Sequence, residues 1–392
     1  MKKRDIPFGR PWIEDEDRDA VMAVLKGHIL THGPECAAFE NEFVAMMGDG
    51  FAVSTTSGMA ALHLSYLNLG VGPGDEVIVP AMTHVATVHA VSLTGASPVF
   101  VDCELDSGNM DISRIEAAVT PRTRALSVVH FCGIPCDMPT IMKIADRHKL
   151  KVVEDCALAV GSRYDGRHVG LFGHSGCYSF YPVKHITTGE GGMLVSRHED
   201  VVKSIARFRA FNVDRTHAER AIPGIYDVTG LGMNYRMSEM QAALGRTQLR
   251  KVPAILKKRA ANFEALKAGL AGIAGVKVLD AADRMATNSH YCLIALLTGA
   301  LARRRDDIVR ALNAAGVGTS VYYPHPVPRL SHYRTLYGYD SALYPGAESI
   351  SDRSIALPVG PHLRPADMAD VARAFAEAAG ATAAKATAKS RK

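Results

Sequence analysis

The sequence predicts an α/β fold: a three-layer large domain with a mostly parallel sheet, followed by a smaller C-terminal α/β domain. From residue 51 onward, short apolar strands alternate with amphipathic helices, which is typical of a parallel sheet covered by helices on both faces. The length of 392 residues exceeds that of one ordinary domain. The composition, with 47% hydrophobic and 22% charged residues, is that of a globular protein.

The predicted elements follow this alternation in order. Residues 14–47 are expected to form helices that are interrupted by a turn at residues 31–34. Residues 51–58 read as a strand that enters a Gly-containing turn, and the amphipathic helix after it ends at Gly70. The next strand and helix pairs are DEVIVPA with THVATVHAVSLTG, SPVFVD with ISRIEAAV, and TRALSVVHFCG with MPTIMKIADRHK, and three further strands are LKVVEDCA, GCYSFYP and GGMLVSR.

We place the domain boundary between residues 249 and 250, inside a long amphipathic stretch that links the two domains. Residues 1–249 then form the large domain together with the N-terminal helices, and residues 250–379 form the small one. Residues 380–392 are predicted to be a disordered basic tail, because their composition is of low complexity. In the small domain we expect strands at YCLIALL and TSVYYP and a helix at DDIVRALNAAG.

Charge and composition exclude several classes of protein. The formal net charge of +5 comes from basic residues at the two ends of the chain, and no basic face with interleaved aromatic residues is visible, so nucleic-acid binding is not expected. No segment reaches the roughly 18 apolar residues of a membrane helix, and the N-terminus lacks the apolar core of a secretory signal. The seven cysteines are scattered, which favours reduced thiols and a cytoplasmic location.

Lys184 and Asp155 are the main candidates for chemistry. Lys184 lies in a polar, Gly-rich loop between two predicted strands, where the backbone can approach a ligand closely. Asp155 stands at the carboxyl end of a predicted strand, where open parallel sheets bind ligands. A lysine that forms an imine with an aldehyde and an acid that pairs with a protonated ring nitrogen are the contacts that pyridoxal phosphate requires. The alternatives are a solvated loop lysine for Lys184 and a helix N-cap for Asp155.

A third element is the strand-to-helix turn TTSGMAA at residues 55–61. Its small residues leave backbone amides exposed, and the positive end of the helix dipole suits an anion such as a phosphate. Any capped helix has these properties. The turn therefore supports a phosphate site only because it occurs together with Lys184 and Asp155.

Other candidate residues have a structural interpretation. His130, Cys132 and Cys136 could suggest a metal site, but they flank Gly133 and Pro135 without a further ligand pair. Packing is therefore favoured over zinc, and no metal is predicted. Glu190 in the Gly-rich loop is expected to brace that loop with a hydrogen bond.

Together these residues resemble the DegT-type family of pyridoxal-phosphate enzymes, the nucleotide-sugar aminotransferases of aminotransferase fold type I. The resemblance extends over roughly residues 10–375. It rests on several ordered motifs: THGPECAAFENEF, TSGMAALHL, GDEVIVPAMTHVAT, VHFCGIPCDM, VEDCALAVGS, SFYPVKHITTGEGG, NYRMSEMQAALGRTQL, GTSVYYPHPVPRL and YPGAESISDRSIALP.

The resemblance implies a role for each site residue. Lys184 would hold the cofactor as an imine, and Asp155 would bond to the pyridine nitrogen. Ser179 and the turn Ser57-Gly58-Met59 would hold the phosphate, and Asn234 would reach the same phosphate from a neighbouring subunit. The family is built as a homodimer with shared active sites, so a symmetric dimer is expected here.

The chain departs from the family pattern at three positions. His84 stands where a large aromatic residue usually stacks on the cofactor ring, and imidazole can also stack. Leu158 stands where a polar residue near the ring hydroxyl is common, so that hydrogen bond would come from elsewhere. Met59 replaces a frequent threonine and removes one hydroxyl contact to the phosphate, while the backbone amides remain.

The resemblance also implies the reaction. Relatives that dehydrate sugars at C3 have histidine in place of the lysine, so Lys184 favours transamination from L-glutamate to a keto-sugar nucleotide in amino-sugar biosynthesis, for a surface polysaccharide or a glycosylated metabolite. The alternatives are a cyclitol or another ketone as acceptor, or a non-catalytic regulatory protein that binds pyridoxal phosphate. Arg236 suits a carboxylate or phosphate, with a surface or interface salt bridge as its alternative. The candidates for substrate contacts are Tyr181, His185, Arg236, Tyr322, Tyr323 and His325.

Overall fold

The computed structural model describes residues 5–214, 222, 224–281 and 283–380. The chain begins with helices α1 (Asp15–Lys26) and α2 (Pro34–Met47), on either side of the predicted turn. Helix α2 starts with proline at its first position, where the missing N–H costs no hydrogen bond, and it ends at Gly48 with a φ of 78°.

A seven-stranded sheet forms the centre of the large domain. Its strand order is β1-β7-β6-β5-β4-β2-β3, and only β7 runs antiparallel to its neighbours. The predicted mostly parallel sheet is therefore confirmed. The strands are β1 (Phe51–Thr55), β2 (Glu76–Pro80), β3 (Ser97–Val101), β4 (Thr123–Val129), β5 (Lys151–Asp155), β6 (Ser175–Ser179) and β7 (Gly192–Ser196).

Helices cover both faces of this sheet, because its strands are apolar on both sides. In β5, Val153 packs in one hydrophobic cluster with Leu64 and Val91, whereas Val152 packs on the opposite face with Ile141. Alternation along the strand thus produces the two outer layers. The covering helices are α3 (Gly58–Asn68), α4 (Val85–Ser92), α5 (Met138–Arg147) and α6 (Glu199–Phe208).

Two local predictions were wrong. The expected helix at ISRIEAAV forms two short 3₁₀ segments, Ile112–Arg114 and Glu116–Ala118, and Asp111 accepts hydrogen bonds from the Ser113 amide and hydroxyl that compete with an α-helical start. The expected strand at TSVYYP has a single bridge, from Ser320 to Ala356. Pro324 ends this segment and has no N–H group to donate to a strand ladder.

The long amphipathic stretch after residue 238 forms two helices, α7 (Glu239–Arg250) and α8 (Val252–Leu270). Pro253 lies in the first turn of α8, which explains why a new helix begins there. Helix α8 contacts both halves of the molecule: Ile255 packs in a cluster of the large domain, and Leu266 packs in the core of the C-terminal half.

The C-terminal half is a mixed α/β unit around its own hydrophobic cluster. Its three strands pair antiparallel, with β9 in the centre. The boundary at residues 249 and 250 stays a prediction, and the predicted tail beyond Gly380 lies outside the described residues. The elements are β8 (Val276–Val278), β9 (Leu293–Leu297), α9 (Arg305–Ala314), α10 (Ser331–Tyr337), α11 (Pro345–Arg353), β10 (Ser354–Leu357) and α12 (Pro365–Ala379).

A small third sheet joins the two halves. Residues Ala286–Thr287 of the C-terminal half pair antiparallel with Arg163–Tyr164, which in turn pair with Arg167–His168. Within the described ranges, no helix is long and apolar enough to cross a membrane.

Candidate active site

The candidate residues meet at one edge of the large sheet. Strands β1, β5 and β6 all run in the same direction, so that their carboxyl ends lie at the same edge. Asp155 ends β5, Ser179 ends β6, and Ser57 follows β1. This is the edge at which parallel α/β sheets bind ligands.

Asp155 is 5% exposed, and donors from two different elements hold its carboxylate. Oδ2 accepts a hydrogen bond of 2.8 Å from the Thr87 hydroxyl, and Oδ1 accepts one of 3.0 Å from the Ala157 N–H. The chain after Asp155 forms turns and no helix. The N-cap alternative for Asp155 is therefore wrong, and the bond from Ala157 is a local turn contact.

Lys184 lies in the loop between β6 and β7, and in the part of the chain that the structure describes it forms no ion pair. Its Nζ lies 5.7 Å from the centroid of the Tyr291 ring. Burial lowers the pKa of the Lys184 amine, against the opposing influence of Asp155 and Cys132. The alternative of a solvated loop lysine does not fit this environment, because a solvated amine would not lose hydration.

The predicted phosphate turn lies directly against the end of β6. Ser57 is the N-cap of α3, and its hydroxyl accepts from the Ala60 N–H. A Cβ built on Gly58 would lie 2.8 Å from the Cβ of Ser179, so glycine permits this close approach. The N–H groups of Gly58 and Met59 belong to the first helical turn and have no acceptor within the helix. The geometry fits a phosphate held by amides.

His84 follows β2 and caps α4, with its Nδ1 accepting from the Ala86 N–H at 3.1 Å. Its ring lies 5.5 Å from the ring of Tyr323 at an interplanar angle of 65°. Desolvation and the nearby Lys184 ammonium lower the pKa of His84, whereas Asp155 raises it. His84 is therefore close enough to both residues to be influenced by their charges.

Two of the substrate candidates form an aromatic group beside this edge. The Tyr322 hydroxyl lies 2.7 Å from that of Tyr291, and the Tyr323 ring also contacts Phe131. Burial raises the pKa of Tyr323 well above its ordinary value, and the neighbouring Cys132 and Asp155 add to the effect. Tyr322 thus contacts the tyrosine that lies beside Lys184, and Tyr323 is close enough to Asp155 to be influenced by its charge.

Among the other candidates, Tyr181 and His325 are exposed. His185 is 3% exposed, its Nε2 lies 3.1 Å from the Ser289 carbonyl oxygen, and its ring packs against Tyr291. These contacts of His185 are structural ones, and its contact with substrate stays a prediction.

Arg236 stacks over the Phe211 ring at 4.8 Å, and it makes no ion pair within the described part of the chain. An anion and a salt bridge at an interface both stay predictions for this guanidinium. Asn234 is exposed, and its neighbour Tyr235 accepts a backbone hydrogen bond from Thr56, the residue before Ser57. The contact of Asn234 with a partner's phosphate site stays a prediction.

A buried histidine and carboxylate lie on the opposite side of the Asp155 backbone. Glu154 is fully buried, and its two carboxylate oxygens accept from the amides of Gly170, Phe172 and Gly173 at 2.6–2.8 Å. His130 Nε2 lies 3.1 Å from Glu154 Oε2. The carboxylate thus clamps the loop at residues 170–173.

His130, Glu154 and Cys156 lie close enough together to hold a metal ion, yet protein groups already use their ligand atoms. His130 Nδ1 accepts from the Cys136 N–H at 3.1 Å, so its Nε2 carries the proton that points to Glu154. The Cys156 thiol donates to the Glu154 carbonyl oxygen at 3.7 Å, and the Cys136 thiol donates to the Val129 carbonyl oxygen. The geometry favours packing, as proposed for His130 and Cys136.

The loop residue Glu190 uses its backbone carbonyl, which accepts from the Thr188 hydroxyl.

Three residues of the site were missed by reasoning from the sequence. Thr87 lies one helical turn after His84, so helical spacing on α4 could have indicated it. Thr83, whose hydroxyl contacts that of Thr87, precedes the helix. Tyr291 belongs to a segment far along the chain, and no local pattern connects it with Lys184. Leu158 is buried in a hydrophobic cluster and offers no polar side-chain atom.

Comparison with known proteins agrees with this site. The family model of the DegT/DnrJ/EryC1/StrS aminotransferase family matches residues 11–376. The chain is 37% identical to the dTDP-3-amino-3,4,6-trideoxy-alpha-D-glucose transaminase of Streptomyces venezuelae, over 88% of this chain and 87% of that protein. It is 35% identical to the UDP-N-acetyl-3-dehydro-alpha-D-glucosamine 3-aminotransferase of Acidithiobacillus ferrooxidans, over 92% and 93% of the two chains.

Solved structures of sugar aminotransferases have a similar fold. Streptococcus pneumoniae Spr1654 in its PLP-form superposes with a TM-score of 0.90 and 28% identity, covering 96% of this chain and 99% of that chain. These matches confirm the predicted fold class, the aminotransferase activity and pyridoxal phosphate as the cofactor. The chain belongs to the DegT/DnrJ/EryC1/StrS aminotransferase family.

Proposed function

We propose that Lys184 and Asp155 hold pyridoxal phosphate at this sheet edge, and that the enzyme transfers an amino group from L-glutamate to a keto-sugar nucleotide in amino-sugar biosynthesis. The observation that carries the proposal is the partly buried Lys184 amine, which lacks an ion-pair partner in the described structure and lies within the electrostatic reach of Asp155. Burial of an amine without a paired carboxylate is costly, and groups perturbed in this way cluster at functional sites.

When bound, pyridoxal phosphate supplies an aldehyde that condenses with amines and a ring that withdraws electrons. Lys184 is the amine that would attach it, and Asp155 is the carboxylate that would accept a hydrogen bond from its protonated ring nitrogen. The amides of Gly58 and Met59, with the hydroxyls of Ser57 and Ser179, would hold the phosphate. The residues present therefore fit the cofactor at its three recognition points.

The lowered pKa of Lys184 supports its second task. An amine with a reduced pKa spends more time in the neutral form at pH 7, so its Nζ can accept a proton from the substrate carbon and return it. Asp155, held by Thr87 and Ala157, remains in one orientation while this proton moves. One lysine thus serves for attachment and for proton transfer.

The acceptor is proposed from the relatives. Two of them are named as acting on dTDP-linked and UDP-linked amino sugars, and a third is a spore coat polysaccharide biosynthesis protein of Bacillus subtilis, 34% identical over 95% of this chain. The first two names share a sugar attached to a nucleotide, and we propose the corresponding keto-sugar nucleotide as the acceptor. L-glutamate is proposed as the amino donor by family resemblance.

A homodimer with shared sites and a cytoplasmic location complete the proposal. Large apolar side chains on the segment before Asn234 are exposed in a single chain, with Leu231 at 81%. Exposed patches of this kind mark protein interfaces, and a symmetric partner would cover them. Asn234 lies on the same segment, so the partner that covers the patch is also the one it would reach. The other exposed residues are Ile225, Tyr226 and Val228.

The test of the function uses the loaded enzyme and a panel of acceptors. Wild type with pyridoxal phosphate is expected to show visible absorbance that Lys184→Ala loses, whereas Lys203→Ala, which removes an exposed lysine paired with Glu199, keeps it. Glutamate is expected to bleach this absorbance, and a dTDP-linked or UDP-linked keto-sugar to restore it.

The acceptor panel also includes an unlinked keto-sugar and a cyclitol ketone. Turnover with the cyclitol ketone alone would replace the proposed acceptor. If no amino donor bleaches the wild-type absorbance, the protein is a binder of the cofactor without turnover.

A further inference from the structure

Two threonine hydroxyls form a chain of hydrogen bonds that ends at the Asp155 carboxylate. The Thr83 and Thr87 hydroxyl oxygens are 2.7 Å apart, and Thr87 Oγ1 donates to Asp155 Oδ2 over 2.8 Å. The threonines are 1% and 0% exposed, and Asp155 is 5% exposed. Because all three side chains are buried, their polar atoms need partners within the protein, and they satisfy one another.

The chemistry of the groups determines the direction of the chain. An ionised carboxylate can only accept, so the single hydroxyl proton of Thr87 is committed to Asp155. Thr87 Oγ1 must then accept the hydrogen bond that the Thr83 hydroxyl donates. The result is a directed relay, from Thr83 to Thr87 to Asp155, in which the Thr83 hydroxyl polarises the bond that reaches the carboxylate.

Thr87 also brings a second element to the carboxylate. It lies on α4, whereas Ala157, the other donor, follows Asp155 in the chain. Two donors from different elements hold the carboxylate plane, and lone pairs on its oxygens remain for a further donor. Because His84 caps the same helix one turn earlier, α4 carries both the ring proposed to stack on the cofactor and the hydroxyl that holds its acid.

We propose that Thr87 is a positioning residue that orients the Asp155 carboxylate toward the ring nitrogen of the cofactor, with Thr83 orienting the Thr87 hydroxyl. The proposal rests on the proposed role of Asp155. Its consequence is that the protonation of the ring nitrogen depends on a hydroxyl that touches neither cofactor nor substrate. A hydrogen bond to a charged acceptor is the stronger kind, so its loss is measurable.

The test uses holoenzyme loaded with pyridoxal phosphate that is ¹⁵N-labelled in the ring. Thr87→Val keeps the shape of the side chain and removes the hydroxyl, and we expect its ring ¹⁵N resonance to move toward the unprotonated position. The dissociation constant of the cofactor should rise about tenfold, since a hydrogen bond to a charged group is lost. Thr87→Ser retains the hydroxyl and should restore both values. Thr83→Val should move both in the same direction and by less.

Thr247→Val is the matched control, because Thr247 is also buried and its hydroxyl also donates to an aspartate, Asp17, away from the site. It should leave the ¹⁵N resonance and the cofactor affinity unchanged. If Thr87→Val does not fold, Thr87→Ala removes the same hydroxyl with less bulk. Circular dichroism checks the fold of each variant.

Asp155→Asn separates the two proposals. If it leaves the ¹⁵N resonance at the wild-type position, the role of Asp155 itself is wrong. If Asp155→Asn shifts the resonance and neither Thr87→Val nor Thr87→Ala does, only the relay is wrong. An equal shift in Thr87→Ser and Thr87→Val would mean that packing, and not the hydroxyl, is responsible.

Discussion

Buried ionisable side chains are treated in two ways in this protein. Some have partners that keep them charged, such as Asp17, whose carboxylate contacts the Lys251 ammonium. Others are held neutral by burial, such as His168, which is 4% exposed. Burial lowers its pKa from 6.5 to about 4. Burial also lowers the pKa of the Lys184 amine, although Asp155 and Cys132 oppose this effect.

His168 predicts a specific pH dependence of stability. In the unfolded chain its imidazole binds a proton below pH 6.5, whereas in the folded protein it stays neutral down to a pH of about 4. The unfolded state therefore binds more protons between these values, and stability is full above pH 6.5 and falls as the pH decreases. At about pH 5 this histidine should cost about 2 kcal/mol relative to neutral pH.

Urea unfolding at about pH 7.5 and about pH 5 measures this effect. In His168→Gln, the loss of unfolding free energy between the two pH values should be smaller than in wild type by that amount. His28→Gln, at an exposed position, should match the wild type. Equal losses in His168→Gln and wild type would contradict the prediction.

At the scale of elements, consecutive residues of one strand serve two purposes. Asp155 faces the site, and Glu154 faces the loop at residues 170–173, because successive side chains of a strand point to opposite faces. Glu154 accepts from three loop amides and contacts His130, which fixes this loop against the end of β5. The loop leads directly into β6, whose last residue is Ser179.

Glu154→Gln is expected to lower the free energy of unfolding by about 3 kcal/mol, because an amide group would face N–H donors with donors of its own. The side chain keeps its size, so cavity formation does not contribute. Urea unfolding at neutral pH measures the change. Glu190→Gln, at an exposed position in the Gly-rich loop, is the control and should unfold like the wild type. An unchanged midpoint in Glu154→Gln would show that the clamp contributes nothing.

At the scale of the whole molecule, the two halves form one continuous structure around the site. Helix α8 packs in both hydrophobic cores, and Tyr291 from the C-terminal half lies beside Lys184 from the large sheet. The exposed apolar segment before Asn234 is one of the apolar surfaces that a single chain leaves uncovered among the described residues. The proposed dimer would complete the site and cover this surface at once.

Mixing two inactive variants tests the shared site. Lys184→Ala and Asn234→Ala each remove one contribution to every site of their own homodimer, but a mixed dimer contains one site with an intact Lys184 and a partner with an intact Asn234. Unfolding and refolding the two together should recover about a quarter of wild-type activity, since half of the dimers are mixed and each has one complete site. Lys184→Ala mixed with Asp155→Asn is the control.

In that control both defects lie on the same chain's contribution, so no complete site forms in the mixed dimer and activity should stay at the level of the single variants. The same low activity in the mixture of Lys184→Ala and Asn234→Ala would mean that each site is built from one chain.

Local order could be predicted because it depends on residues close together in the chain. The alternation of apolar strands with helices indicated the parallel sheet, and all seven of its strands lie where the pattern placed them. The errors, at residues 112–118 and 319–324, occur where side-chain hydrogen bonds or a proline override apolar spacing. The spacing of apolar residues indicates which side chains are buried, but it does not indicate these competing contacts.

The sequence by itself determined the fold class and the family, and it predicted the roles of Lys184 and Asp155, because the residues at a strand end can be read from the local sequence alone. Only the tertiary structure decided which distant side chains complete the site. Thr87 reaches Asp155 across 68 residues of chain, and Tyr291 reaches Lys184 from the other half of the molecule. Such pairings follow from how sheet and helices pack in three dimensions. The periodicity of apolar residues in the sequence does not indicate them.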